Sequence, residues 1–348
     1  MPSIHTALEQ YPRVSLTRTP TPLQYLEHLS KNLDVNVYIK RDDLTDLTFG
    51  GDKPRKLEYE IAQAQKQGAD TLVTCGSSQS NHARLTTAAA RRVGMDCVVV
   101  LSQDQWQAFQ GNLLTVYLMG ASVKLVETED HWDLEKQAMD VMADLEAKGR
   151  NPHYIPVSGT TPHSCLGYVR GALETIDQLH ERDIQLDAVY TPFGTGGIFT
   201  AMLLTFREMG LNCPFAGISV NRNLEQCSEN LETWWAALCD LLDIESQRER
   251  GAYNIYDEFI GREYGDPTVA CLDAILMMGQ SEGILLDPVY SGKMFSGFLA
   301  HHKQKHWQSG QNILLLHSGG TPALFAYHKV IEQHLIEKGI LPAHFSKE

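Results

Sequence analysis

Positive charge is scarce in this sequence. Its 348 residues include 29 Lys and Arg against 43 Asp and Glu, which gives a formal net charge of −14. Because nucleic-acid-binding surfaces are basic, we expect no nucleic-acid partner. Long apolar runs are also missing, since a run such as residues 97–101 is far too short to span a bilayer. The N-terminal residues 1–13 lack the apolar core of a signal peptide, so we expect no membrane partner either.

Several motifs of familiar chemistry are absent as well. The 7 cysteines are scattered and contain no CxxC pair, which is typical of reduced thiols in a cytoplasmic protein. His302 and His306 are four residues apart but lack the acid of an HExxH motif, so we predict no metal site. No serine lies in a GxSxG turn, which argues against a hydrolase of that type.

Apolar strands alternating with helices occupy most of the chain. Strands are predicted at 71–75, 97–101, 122–127, 154–157, 188–192, 215–220 and 313–316. This alternation predicts an α/β fold built from three-layer αβα units with mostly parallel sheets. Residues 1–40 are expected to be irregular apart from a strand at 35–40, and residues 244–266 to be rich in turns.

Four polar loops are expected to follow strands, where open α/β sheets bind their ligands. They are 76–81, 193–198, 289–291 and 317–321. The glycines of the second loop would let backbone N–H groups converge on an anion at a helix start. This loop lacks the Walker lysine, so a small phosphate is favoured over a nucleoside triphosphate. The alternative is a glycine turn that serves only tight packing.

The first polar loop contains three serines and ends at Asn81, which is suited to cap the following helix. Its hydroxyls and amides are suited to hold a carboxylate, although a simple cap with surface serines explains them equally well.

Lys53 lies directly after a Gly-Gly turn, at the predicted start of a helix. A helix start is electropositive, which favours the neutral amine that forms Schiff bases. Arg55 and Lys56 follow within one turn. The alternative is an ordinary basic helix after a glycine turn.

Five segments carry a family resemblance. They are GGDKPRKLEYEIAQA at 50–64, CGSSQSNHARLTTAAA at 75–90, FGTGGIFTA at 193–201, LLDPVYSGKM at 285–294 and HSGGTPAL at 317–324. Together they resemble the pyridoxal-phosphate enzymes of the D-cysteine desulfhydrase and 1-aminocyclopropane-1-carboxylate (ACC) deaminase family. The resemblance implies a fold-type II enzyme that binds pyridoxal 5'-phosphate and a small amino acid, and a homodimer. It also implies a large domain of residues 1–56 and 168–348 and a small α/β domain of residues 57–167.

The same resemblance implies roles for individual residues. Lys53 matches the lysine that forms the Schiff base and moves the Cα proton, Lys56 a residue near the cofactor phosphate, and Asn81 the partner of the phenolic oxygen. The phosphate cup is expected to be Gly194, Thr195, Gly196, Gly197 and Ile198. The residues expected to face the substrate are Ser80, Asn81, His82, Tyr264, Tyr290 and Ser318. Ser80, Tyr264 and Tyr290 are the expected catalytic partners of Lys53.

Ser291 matches the partner of the pyridine nitrogen and separates two branches of the family. ACC deaminase has a glutamate there, whereas a hydroxyl leaves the nitrogen largely neutral and the electron sink weaker. A weaker sink suffices to expel a good β leaving group. We therefore expect α,β-elimination, with D-cysteine giving pyruvate, sulfide and ammonia. The alternatives are cysteate, a β-chloro or hydroxy amino acid, or ACC as substrate, a β-replacement synthase, or a silent binder.

Overall fold

Ten strands and thirteen α-helices make up the part of the chain that the computed structural model describes, residues 3–103, 108–128, 131–245 and 252–342. The strands are β1 Leu23–Tyr25, β2 Asn36–Arg41, β3 Thr71–Ser77, β4 Asp96–Ser102, β5 Ser122–Val126, β6 Pro152–Ile155, β7 Ala188–Phe193, β8 Phe215–Ser219, β9 Tyr253–Tyr256 and β10 Asn312–His317. The helices are α1 Ile4–Leu8, α2 Glu27–Leu33, α3 Lys53–Lys66, α4 Asn81–Val93, α5 Gly111–Leu118, α6 His131–Ala147, α7 Pro162–Glu181, α8 Gly197–Glu208, α9 Leu224–Leu242, α10 Val269–Glu282, α11 Ser291–Lys303, α12 Ala323–Ala326 and α13 His328–Glu337.

The strands form two separate sheets. The larger has the order β1-β2-β10-β7-β8-β9, and the smaller has the order β5-β4-β3-β6. The β1–β2 pair is antiparallel and the other pairs are parallel. The prediction of an α/β fold with mostly parallel sheets is therefore confirmed.

The larger sheet is covered on both faces, as a parallel sheet requires. All six residues of β7 are buried. Val189 packs with residues of α7, α8 and α9 on one face, while Tyr190 packs with residues of α10 and α11 on the other. These two apolar clusters give the three-layer αβα arrangement that the sequence predicts.

The differences from prediction concern short or marginal elements. The short helices α1 and α2, of 5 and 7 residues, were not predicted, and neither were the edge strands β1 and β9, of 3 and 4 residues. The predicted turn-rich segment contains β9, although its residues 246–251 lie outside the described ranges. The expectation that the loop 289–291 follows a strand is wrong, because the chain between α10 and α11 runs without one. The loop still reaches the same edge of the sheet through the start of α11.

The two proposed domain boundaries, after residues 56 and 167, fall inside α3 and α7. These helices touch where a Cβ on Gly167 would lie 2.1 Å from the backbone carbonyl oxygen of Arg55. The buried Arg55 guanidinium also joins the helices by pairing with Glu174 at 2.8 Å and with Asp42 at 2.9 Å. The division into two domains stays a prediction. Among the described helices, none is both long and apolar enough to cross a membrane.

Candidate active site

A cavity of about 540 Å³ lies at the carboxyl ends of the strands, with walls from both sheets. Its lining includes residues that follow β3, β7, β8 and β10, together with the first turns of α3, α4 and α8. The structure thereby brings together most of the predicted site. The predicted residues in the lining are Lys53, Lys56, Ser80, Asn81, His82, Gly194, Thr195, Gly196, Gly197, Ile198, Tyr264, Tyr290 and Ser318.

A strained turn delivers Lys53 to this cavity. Residues 48–51 all have positive φ, at 42°, 63°, 63° and 134°. Thr48 and Phe49 are not glycines, so this backbone conformation is unfavourable for them. Lys53 is the first residue of α3, and its Nζ lies 2.5 Å from Asp52 Oδ2 and 5.9 Å from the centre of the Tyr290 ring.

The basic residues after the turn are not a solvated helix face. Lys53 and Lys56 are 9% and 2% exposed and both line the cavity, whereas the buried Arg55 belongs to the ion pairs between α3 and α7. The ordinary basic helix considered from the sequence is therefore wrong.

Hydroxyl groups surround Lys56 beside the glycine loop. Lys56 Nζ donates to Thr160 Oγ1 at 2.8 Å, and Thr160 Oγ1 lies 2.6 Å from Thr195 Oγ1. Ser158 Oγ adds a third hydroxyl, 3.2 Å from that of Thr195. Burial first, and repulsion by Lys53 next, lower the pKa of Lys56 to about 8.

The glycine loop forms a tight cradle at the start of α8. Gly196 precedes the helix with φ +88°, and a Cβ on Gly197 would lie 2.6 Å from the Thr160 methyl group. The first N–H groups of a helix have no intrahelical partner. These donors, the hydroxyls and Lys56 together fit a phosphate dianion. Sequence reasoning missed Ser158 and Thr160, which lie more than a hundred positions after Lys53 in the chain.

Asn81 is held by a relay of buried polar groups. Its Oδ1 accepts from Asn112 Nδ2 at 3.0 Å, and Asn112 Oδ1 accepts from Arg84 Nε at 2.7 Å. Arg84 also donates to the carbonyl oxygens of Thr48 and Gly50. Arg84 thus joins the strained turn to Asn81, and burial lowers the pKa of Arg84 to about 9.

The helix cap at this loop differs from prediction. Ser80, not Asn81, is the N-cap of α4, and its Oγ accepts from the Ala83 N–H at 3.1 Å. Because Ser80 takes this position, the Asn81 side chain is available to the relay and the cavity.

His82 is buried beside the cavity and is 3% exposed. Its Nε2 lies 2.9 Å from Thr74 Oγ1. Burial, with Lys53 and Lys56 adding repulsion, lowers the pKa of His82 well below its ordinary value, so the ring is neutral near pH 7. Its contact with substrate stays a prediction.

Two tyrosines also line the cavity. Their hydroxyl oxygens, in Tyr264 and Tyr290, are 2.5 Å apart. Burial raises the pKa of Tyr290 well above its ordinary value, and Tyr264 raises it further. Tyr290 therefore keeps its proton at neutral pH.

Ser291 lies behind Tyr290 and does not line the cavity. Its Oγ donates to Asp287 Oδ1 at 2.5 Å and accepts from the Asp287 N–H. The buried Asp287 carboxylate also accepts from the N–H groups of Val289 and Tyr290, which fixes the start of α11. Ser318, 6% exposed, is the serine of this region that lines the cavity. The expected pairing of Ser291 with a pyridine nitrogen stays a prediction.

Two further cavity residues were missed from the sequence. Arg222 Nη1 donates to the Gly194 carbonyl oxygen at 3.0 Å, and Trp234 Nε1 donates to that of Thr195 at 2.8 Å. Arg222 lies in the loop that follows β8. Ligands of open α/β sheets bind beyond the ends of strands, so this loop, 220–222, belonged with the four loops predicted to bind the ligand.

A buried lysine at a helix start, lining one cavity with a phosphate cradle at the carboxyl ends of two mostly parallel sheets, is typical of fold-type II pyridoxal-phosphate enzymes. The chain belongs to the family of pyridoxal-phosphate dependent enzymes, whose model matches residues 14–319. The cofactor is therefore pyridoxal phosphate, and the residues of the cradle fit its phosphate.

Relatives and solved structures agree with this assignment. The chain is 37% identical to a D-cysteine desulfhydrase of Serratia proteamaculans, over 94% of this chain and 99% of that protein. It is 35% identical to a putative ACC deaminase of Pyrococcus abyssi, over 96% of this chain and 99% of that protein. A crystal structure of an ACC deaminase homologue superposes with a TM-score of 0.88 at 34% identity, covering 96% of this chain and 100% of that one. The protein is a pyridoxal-phosphate-dependent lyase of this group.

Proposed function

We propose that this lyase eliminates sulfide from D-cysteine and that, with water, the products are pyruvate, ammonia and hydrogen sulfide. The observation that carries the proposal is the position of the Lys53 amine beside the ring of Tyr290, whose hydroxyl is paired with that of Tyr264. This arrangement offers a base for the Cα proton and a protonated hydroxyl pair for the departing group. The names of several relatives support D-cysteine as substrate.

Each residue of the chain has a defined task in this proposal. Bound pyridoxal phosphate supplies the electron sink that labilises bonds at the Cα of an amino acid. Lys53 holds the cofactor and then removes the Cα proton, and Asp52, at 2.5 Å, orients its amine. Tyr290, partly buried and protonated, donates toward the leaving group. The start of α4 at Ser80 attracts the substrate carboxylate, because helix N-termini bind anions.

The test measures pyruvate and sulfide released from D-cysteine, with L-cysteine, L-cysteate and ACC run on the same cofactor-loaded preparation. We expect sulfide from D-cysteine alone. Lys53→Ala should lose both the visible absorbance band of the lysine-bound cofactor and the activity. Tyr290→Phe should keep the band and lose activity. Turnover of none of the four compounds, with the band present, contradicts the proposal.

We also propose that the protein is a homodimer. Three exposed apolar residues support this: Leu118, Phe49 and Phe325 are 76%, 66% and 64% exposed. They lie in one region, because Thr48 contacts Met119 at the end of α5 and α12 packs against α5. Such an exposed patch is typical of an interface. Sedimentation velocity should show a dimer that Leu118→Asp dissociates, and a monomeric wild type contradicts the assignment.

A cytoplasmic location is proposed on the state of the cysteines. All seven are free thiols, and five of them are buried. Buried free thiols suit a reducing compartment. Fractionation of cells that produce the protein, with a secreted and a cytoplasmic marker, tests this directly.

A further inference from the structure

We propose that Arg222 forms the subsite for the substrate's β-substituent and selects amino acids whose β-group departs as a sulfur anion, such as hydrosulfide or sulfite. The inference rests on the proposed β-elimination and specifies the substrate class of the same cavity. Arg222 belongs to no sequence motif, and its position in the cavity wall is what points to a ligand.

The backbone of Arg222 is fixed directly after β8. Its N–H donates to Ser219 Oγ at 3.1 Å, and the same hydroxyl donates to its carbonyl oxygen at 2.6 Å. The side chain then lines the cavity that also contains Lys53, Tyr264 and Tyr290. A fixed backbone places the guanidinium in the cavity wall before any ligand arrives.

The guanidinium has no acidic partner among the described residues. It donates to the Gly194 carbonyl oxygen at 3.0 Å and to Asn221 Oδ1 at 3.1 Å, both uncharged and both reached by Nη1. A guanidinium carries five N–H donors in a fixed fork, so donors remain for a ligand. Lys53, by contrast, is paired with the Asp52 carboxylate.

Partial burial of an unpaired cation is unfavourable until an anion offsets it. Burial lowers the pKa of Arg222. A Cβ on Gly194, whose carbonyl oxygen accepts from the guanidinium, would lie 3.7 Å from the Tyr290 ring. Arg222 therefore lies beside the part of the cavity that Tyr290 lines.

The chemistry of elimination places an anion there. Lys53 takes the Cα proton, the bond from Cβ to the substituent breaks, and a Cα–Cβ double bond forms. The substituent keeps the bonding electrons and departs as hydrosulfide from cysteine or as sulfite from cysteate. A guanidinium beside the substituent stabilises this developing charge. Chloride departs readily without such help, so a β-chloro substrate should depend little on Arg222.

The competing assignment is the cofactor phosphate, because the Gly194 contact of Arg222 adjoins the glycine cradle. The cradle has its own cation in Lys56 and its own hydroxyls in Thr160 and Thr195. The two assignments differ in what the loss of Arg222 should change: substrate choice in one case, cofactor affinity in the other.

The experiment compares wild type, Arg222→Gln and Arg222→Lys, with Arg18→Gln as the matched control at a side chain that is 91% exposed. For each, kcat/KM is measured with D-cysteine, cysteate and β-chloro-D-alanine, and pyridoxal phosphate is titrated by its visible band. We expect Arg222→Gln to lower kcat/KM for the sulfur substrates by roughly 10- to 100-fold, as for a lost hydrogen bond to a charged group. Arg222→Lys should recover part of this loss.

In Arg222→Gln, kcat/KM for β-chloro-D-alanine should stay within about threefold of wild type, and so should the affinity for pyridoxal phosphate. A threefold change is smaller than the typical effect of losing one hydrogen bond. An equal loss with all three substrates overturns the inference, and so does a tenfold or greater weakening of cofactor binding. Either result leaves the proposed elimination intact. If wild type turns over none of the three substrates, the proposed function fails and the inference fails with it.

Discussion

Replacing Lys56 with methionine should stabilise the cofactor-free protein and weaken its binding of the cofactor. Lys56 is 2% exposed, and its pKa is lowered from 10.5 to about 8. That difference corresponds to about 3 kcal/mol of destabilisation by the buried charge. Methionine removes this cost but loses the hydrogen bond to Thr160, about 1 kcal/mol. The variant without cofactor should therefore be more stable by about 2 kcal/mol near pH 7.

The pH dependence has a definite sign. Below pH 8 the amine is protonated in both the folded and unfolded protein, so the cost of burial is fully present. Between about 8 and 10.5 the unfolded chain binds more protons than the folded one, and the stability of the wild type rises with pH. The advantage of Lys56→Met should shrink across this window.

Cofactor binding should reverse the order of stability. A phosphate dianion offsets the charge of Lys56, so its removal should weaken pyridoxal phosphate binding by roughly 10- to 100-fold. Binding of pyridoxal, which lacks the phosphate, should change little.

Urea unfolding at pH 7 and pH 10, with and without cofactor, measures both effects. Lys66→Met is the control on the exposed side of the same helix, and its effect should stay within about 0.5 kcal/mol. A cofactor-free Lys56→Met variant that is less stable than wild type at pH 7 would refute the reasoning, and so would unchanged affinity for pyridoxal phosphate.

Two further substitutions test how the loops are held. Gly319→Ala should destabilise the folded protein by about 2–4 kcal/mol in urea unfolding. The φ of Gly319 is +87°, and a Cβ there would lie 2.5 Å from Gly51 Cα in the strained turn. Gly310→Ala, with φ +79° and open space, should cost only about 1 kcal/mol, and equal losses would contradict the close-approach argument. Asn112→Leu should cost about 2–4 kcal/mol by leaving Arg84 Nε and Asn81 Oδ1 without this partner, and should alter the visible band of the bound cofactor. An unchanged band would show that the relay of Asn81, Asn112 and Arg84 does not influence the bound cofactor.

The central elements were predictable because local sequence determines them. The apolar run of β7 and the glycine turn before Lys53 each indicate an element without knowledge of its neighbours. The marginal edge strands β1 and β9 were not predictable, since three or four residues carry too little periodicity.

Contacts between distant segments are what the sequence did not disclose. Lys56 meets Thr160 across 104 positions, and Arg84 meets Asn112 across 28. The family resemblance assigned Ser291 a contact from its position in a motif, but the sequence did not disclose the hydrogen bond from its hydroxyl to Asp287. Arg222 carries no motif, and its place in the cavity depends on the packing of β8 beside β7.

The close contact between α3 and α7 lies where a rotation of one sheet relative to the other would have its pivot. The chain passes between the two sheets through these helices, and they touch at the Arg55 carbonyl oxygen and Gly167. Rotation of the small sheet about this point would move distant walls of the crevice furthest, as at the end of a lever arm. Lys53 and Lys56 lie within one helical turn of the pivot and would move least. Such a rotation would widen the crevice while the two lysines stayed nearly stationary.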